Sequence, residues 1–227
     1  MANRFRWLAL GVASALLAAE AAPAQQAPLD LSASMKPPRS AKSAAPLSAT
    51  EAVAHANAWL DAARVMTADY VQTGPDGRRT EGTVSLVRPG RMRFEGPRFE
   101  VIADGRSIAV IDRKLDTQDE YFIGQTPLKF LLNDHIDLAR DTRVLSVGQE
   151  GNAVTIEVED KAALGGTAHV TLVFDASTYA LRQWTVIDAQ GFQTVVTLSN
   201  IDLTTRPDPA LFHIDELPAN QPGNRRK

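Results

Sequence analysis

The chain has 227 residues, with 24 basic and 27 acidic side chains, a formal net charge of −3 and no cysteine. A mildly acidic balance offers no basic stripe for a nucleic-acid backbone and does not favour standing adsorption to anionic lipid. Without cysteine there is no disulfide framework, no thiolate metal site and no cysteine nucleophile, and the chain cannot itself carry the acyl chains that anchor a bacterial lipoprotein.

The first segment reads as a targeting signal. Arg4 and Arg6 precede the apolar run Trp7 to Ala19, and Ala22-Pro23-Ala24 has the small-x-small pattern of a cleavage site. The run is too short to span a bilayer as a mature helix, which needs about 20 residues. Residues 1–24 are therefore expected to be a signal peptide cleaved after Ala24. Residues 25–47 are rich in Ala, Pro, Ser and Gln and have few large apolar groups to bury, so a disordered leader is expected there. Order is expected from Ser48, with one domain over 48–218 and a flexible tail over 219–227.

Ser48 and Glu51 have the spacing of a capping box. Val53, Ala56, Trp59, Leu60 and Ala63 then recur at helical spacing, which predicts an amphipathic helix to about Arg64. From Val65 the period changes to two. Eleven strands are predicted, at about 66–73, 80–87, 91–96, 99–104, 107–112, 117–123, 142–149, 153–160, 167–174, 180–188 and 191–201. Turn signals separate them: Gly74-Pro75-Asp76-Gly77, Pro89-Gly90, Asp104-Gly105, Gly151-Asn152, Gly165-Gly166 and Gln190-Gly191. Val154, Ile156 and Val158 share one face of their strand and Thr155, Glu157 and Glu159 the other. One dry face and one wet face, joined by short turns, marks an antiparallel sheet. So many strands should curl or close, although the periodicity fits a β-sandwich as well as a half-open barrel. Further helical pieces are expected at Pro127 to Asn133, extending towards Ala139, and at Asp208 to Phe212.

Catalytic patterns are missing. The histidines at 55, 135, 169 and 213 stand far apart with no ligand spacing, and His169 falls on the polar face of its strand. Asp134-His135-Ile136-Asp137 reads as a polar loop or helix end rather than a general-base site. No nucleophile elbow, phosphate loop or zinc-binding helix occurs. Nothing here asks for an enzyme, a metal or a cofactor.

Certain short pieces do stand together: Tyr70-Val71-Gln72, Glu81-Gly82, the turn and strand Arg88-Pro89-Gly90-Arg91-Met92-Arg93-Phe94-Glu95, Asp104-Gly105, and Thr126 to Leu132. In that order and behind a secretion signal, they resemble the LolA family of periplasmic lipoprotein carriers. The resemblance covers roughly Ser48 to Pro218. It implies a mainly β fold, an unclosed antiparallel barrel with a helical lid enclosing an apolar cavity for acyl chains. It implies a monomer in the periplasm whose cargo is acylated lipoproteins. Its partners would be an inner-membrane ATP-driven lipoprotein exporter and, where one exists, an outer-membrane lipoprotein receptor. A lipid- or lipoprotein-sensing interaction protein on the same fold is the alternative. By position, Arg88 matches an arginine that ties the strands to the lid, while Val84, Leu86, Met92, Phe94, Val101, Leu128, Leu131 and Leu132 would line the cavity. After Asp104-Gly105 many relatives carry aromatic residues; Ile108-Ala109-Val110-Ile111 here implies a differently shaped cavity.

Overall fold

The computed structural model describes residues 48–126, 129–161 and 166–215. The expected signal peptide, leader and tail lie outside the described residues, as do Pro127 and Leu128.

The first element is α1, Ala49–Ala62. Its capping box forms as the spacing predicts: Glu51 N–H donates to Ser48 Oγ at 3.3 Å, and Ser48 N–H donates to Glu51 Oε2 at 2.9 Å. Ala52, Ala56 and Leu60 form its buried stripe, and the two alanines let the helix axis approach the sheet closely.

Eleven strands follow: β1 Val65–Thr73, β2 Arg79–Val87, β3 Arg91–Glu95, β4 Phe99–Asp104, β5 Ser107–Asp112, β6 Thr117–Phe122, β7 Arg143–Glu150, β8 Ala153–Asp160, β9 Ala168–Asp175, β10 Leu181–Ile187 and β11 Gln193–Asp202. They make one sheet in the order β6-β5-β4-β3-β2-β1-β11-β10-β9-β8-β7. Every pairing is antiparallel. Two meanders therefore run outward from the central β1–β11 pair, and among the described residues β6 and β7 each end the sheet unpaired on one side. The sheet does not close.

The connection from β6 to β7 departs from the expected helix. It consists of two tight turns, Ile123–Gln125 and Lys129–Leu132, and a four-residue helix α2, Leu138–Asp141. Phe130 is buried in the main core, whereas Leu132 enters a separate cluster with Ala103 and Ile108. The expected turn near the C-terminus forms at Pro209–Phe212, with Phe212 buried.

The inner face carries the core. Cross-strand partners Trp184 and Leu172, Leu172 and Ile156, and Tyr70 and Leu198 stack along it. Gly82 lies opposite Tyr70, and a Cβ there would stand 2.9 Å from the Tyr70 ring and 2.0 Å from Glu95 O. Glycine is needed so that the Tyr70 ring can lie flat over β2 and the backbone of β3 can approach. Charge pairs tie β3, β4 and β5 together beside the buried Ile102 and Ala109. Arg93 and Arg113 both bridge Glu100 at 2.7 Å, and Arg98 pairs with Asp112 at 2.7 Å. His169 is on the polar face of β9, 3.8 Å from Glu157.

Candidate functional site: the inner face of β2–β5 and its lid latch

α1 and the segment from Lys129 to Asp141 form the lid. They are bonded to one another along one side of α1. Asn57 Oδ1 accepts from Leu138 N–H at 3.1 Å, Asp61 Oδ1 from Ile136 N–H at 2.8 Å, and Arg64 donates to Asp134 O at 3.2 Å. Arg64 also pairs with the Asp134 carboxylate, which holds that carboxyl below the usual range. His135 beside it is mostly exposed, so this stretch is a lid joint at the surface.

The turn between β2 and β3 reaches both parts of the lid. Arg88 N–H donates to Arg64 O at 2.9 Å, and Gly90 N–H donates to Leu132 O at 2.8 Å. The Arg88 guanidinium turns inward and donates from Nε and Nη2 to Ala63 O, at 3.2 and 2.6 Å. Ala63 is the C-cap of α1, so a cation sits on the negative end of the helix dipole and satisfies a carbonyl the helix leaves open. Nη1 is buried without a hydrogen-bond partner, 4.0 Å from Asp61 Oδ1. Burial pulls the Arg88 pKa down to about 10; Asp61 and Asp134 act against this and Arg64 with it. The side chain therefore stays charged at neutral pH. The turn expected from Pro89 and Gly90 has a cis Arg88–Pro89 bond, and Gly90 takes φ +76°. A Cβ at Gly90 would lie 2.6 Å from Gly105 Cα, so glycines at both hairpin tips allow them to touch.

Behind the latch lies an incompletely covered apolar surface. Leu86 and Met92 are cross-strand partners, as are Phe94 and Val101's position on β4. Leu86, Met92, Phe94 and Val101 are all half-buried. Leu86 and Met92 touch both apolar clusters, and Val101 packs on the cluster of Ala103, Ile108 and Leu132. The Phe94 ring meets Tyr70 edge-on at 5.1 Å and Trp184 at 6.0 Å. Val84 lies deeper, sealed in the main core, while Leu131 is half-buried against that core and Leu132 is buried on the lid side. Leu128 lies outside the described residues. The structure adds Val110, the cross-strand partner of Val101, and Ile123 to this surface. Val110 was findable, because the Asp104-Gly105 turn sets the register that pairs it with Val101. The Ala63 carbonyl was not, since any residue supplies a carbonyl and only the fold places it. Among the described residues no group of acidic or histidine side chains could hold a metal ion.

The family model described as outer membrane lipoprotein carrier protein LolA matches residues 61–215. An outer-membrane lipoprotein carrier protein of Dechloromonas aromatica (strain RCB) is 26% identical over 179 residues, covering 70% of this chain and 84% of that protein. Among solved structures, a LolA superfamily protein of Nitrosomonas europaea aligns with a TM-score of 0.42 at 11% identity, over 76% of this chain and 100% of that one. A putative outer membrane lipoprotein-sorting protein domain from Vibrio parahaemolyticus aligns with a TM-score of 0.37 at 12% identity, over 72% and 94%.

Proposed function

Because the chain belongs to the LolA family, we propose that it is a non-enzymatic periplasmic carrier which takes the acyl chains of lipoproteins leaving the inner membrane and delivers them to the outer membrane. In this reading an inner-membrane ATP-driven exporter loads it, and the outer membrane, through a receptor where one exists, unloads it. The observation that supports the reading most is the row Leu86, Met92, Val101 and Val110, an apolar inner face left half-buried beneath a lid.

The physical need is plain. Each buried methylene contributes about 0.8 kcal/mol, so exposing several acyl chains to water would cost on the order of tens of kcal/mol. A carrier replaces contact with the bilayer by contact with side chains. It must also let go, and the latch supplies the opposing energy. Hydrogen bonds from a charged donor contribute about 1.5–3 kcal/mol. If acyl chains part the lid from β3, the bonds from Arg88 to Ala63 O are lost, and their recovery drives release. Met92 suits such a surface, because its thioether side chain repacks readily.

Arg88→Leu tests the latch. The variant is purified with bound lipoprotein and mixed with acceptor membranes, with circular dichroism to check the fold. Transfer at least about tenfold slower is expected, the factor equivalent to about 1.4 kcal/mol. Transfer at the wild-type rate from a folded variant removes Arg88 from the mechanism.

A further inference from the structure

The lid segment Lys129–Leu132 fastens to both halves of the sheet. On one side Gly90 N–H, at the β2–β3 tip, donates to Leu132 O at 2.8 Å, and Leu132 packs with Ala103 and Ile108. On the other side Lys129 Nζ donates to Asp160 Oδ1 at 3.2 Å and stands 3.1 Å from Oδ2. Asp160 is the last residue of β8. Phe130, between the two ties, is buried in the main core.

Asp160 is out of keeping with its row. The buried residues of β8 alternate as Val154, Ile156, Val158 and Asp160, and the first three belong to the main core. The cross-strand partner of Asp160 is Ala168, which is also buried. A carboxylate therefore ends an apolar row. Its side chain is 6% exposed, and that of the lysine it meets is 24% exposed.

Burying such a pair takes water from both charges, and their attraction does little more than offset that loss. An apolar pair of similar volume would hold the closed state at least as well. What the ions add is an open state of low free energy, because each regains its hydration on separation. Lysine suits this better than arginine, since a compact ammonium is more strongly hydrated than a guanidinium. The tie at Arg88 is of the other kind, a guanidinium held on a backbone carbonyl. We propose, on the carrier reading above, that Lys129 and Asp160 form a second latch, whose separation frees the lid from β8 and opens the way to the apolar row on β2–β5.

Amide exchange in the cargo-free protein tests the latch in three chains: the parent, Asp160→Asn, and Lys129→Met combined with Asp160→Leu. In Asp160→Asn the amides of Gly90 and Asn133, which donate to Leu132 O and Phe130 O, are expected to exchange at least about tenfold faster than in the parent, because removing one member of a buried pair strongly disfavours the state that buries the other. The amides of Ile156 and Leu172 are expected to exchange as before. In the apolar double variant the lid amides are expected to exchange no faster than in the parent. Uptake of a synthetic triacylated lipopeptide should quicken in Asp160→Asn and slow in the double variant. Equal lid exchange in the parent and Asp160→Asn overturns the latch, as does a loss of protection that includes Ile156 and Leu172, or lipopeptide uptake at one rate in all three chains. If the lid amides respond as expected and none of the three chains binds the lipopeptide, the latch stands and the carrier reading falls.

Discussion

The two halves of the sheet share one pattern and differ in cover. On β8 and β9 the inward residues Val154, Ile156, Val158, Val170, Leu172 and Phe174 are at most 1% exposed, with Ala52, Ala56 and Leu60 of α1 in the same core. On β2–β5 the inward residues Val84, Ala103 and Ile108 are sealed too, but Leu86, Met92, Val101 and Val110, equally apolar, are left half-buried. There the cover consists of short turns, and the hairpin tip at Arg88 to Gly90 holds them by bonds to backbone carbonyls. Alternation says which face is greasy; it does not say whether that face is filled. In this chain the first half-sheet is a structural core and the second an apolar surface under a removable cover.

The largest break in the comparison should come from deleting side chains on each half. Leu172→Ala empties a sealed site and should cost about 2–5 kcal/mol in urea unfolding. Met92→Ala removes a half-covered side chain and should cost roughly 1 kcal/mol. Equal losses would mean the two halves are packed alike.

Gly82→Ala should come next. Its Cβ would collide with Glu95 O and the Tyr70 ring, so β3 must shift away from β2. A loss of at least about 2 kcal/mol is expected, together with a changed environment for Trp184, which touches Phe94 on β3. Wild-type stability and unchanged Trp fluorescence would contradict that account of the glycine.

The smallest effect concerns acid. Charge pairs tie β3, β4 and β5 together, and a hydrogen bond from Arg98 holds the Asp112 carboxyl below the usual carboxylate range. A carboxyl with a lowered folded value stabilises the fold above its unfolded value, and that contribution is lost as pH falls through the folded one. Below the ordinary carboxylate range, amides of β4 and β5 should therefore lose protection before those of β8 and β9. Asp112→Asn should weaken this dependence. Uniform loss across the sheet would show that the pairs do not distinguish the halves.

Much of this was legible in the chain. The strands were, because several alternate cleanly and most turns carry Gly, Asn or Asp where the backbone needs it, Tyr179 at φ +55° being an exception; β5 and β8 begin and end where the pattern places them. The face shared by Met92 and Phe94 was legible for the same reason. The cover was not. The pieces around Lys129–Leu132 and Leu138–Asp141 are too short to show a period, and their shape follows from where Phe130 and Leu138 are buried. Arg88 could be singled out by resemblance, but its acceptor on Ala63 emerges only when the end of α1 meets the hairpin tip.

The central claim is that acyl chains enter between the lid and β2–β5 and leave β8 and β9 untouched. Methyl-resolved NMR of the protein loaded with a triacylated lipoprotein tests this directly. The account predicts intermolecular contacts from acyl chains to the methyls of Leu86, Met92, Val101 and Val110, with none to Ile156, Val170 or Leu172. Contacts to the second group, or to neither, would contradict it.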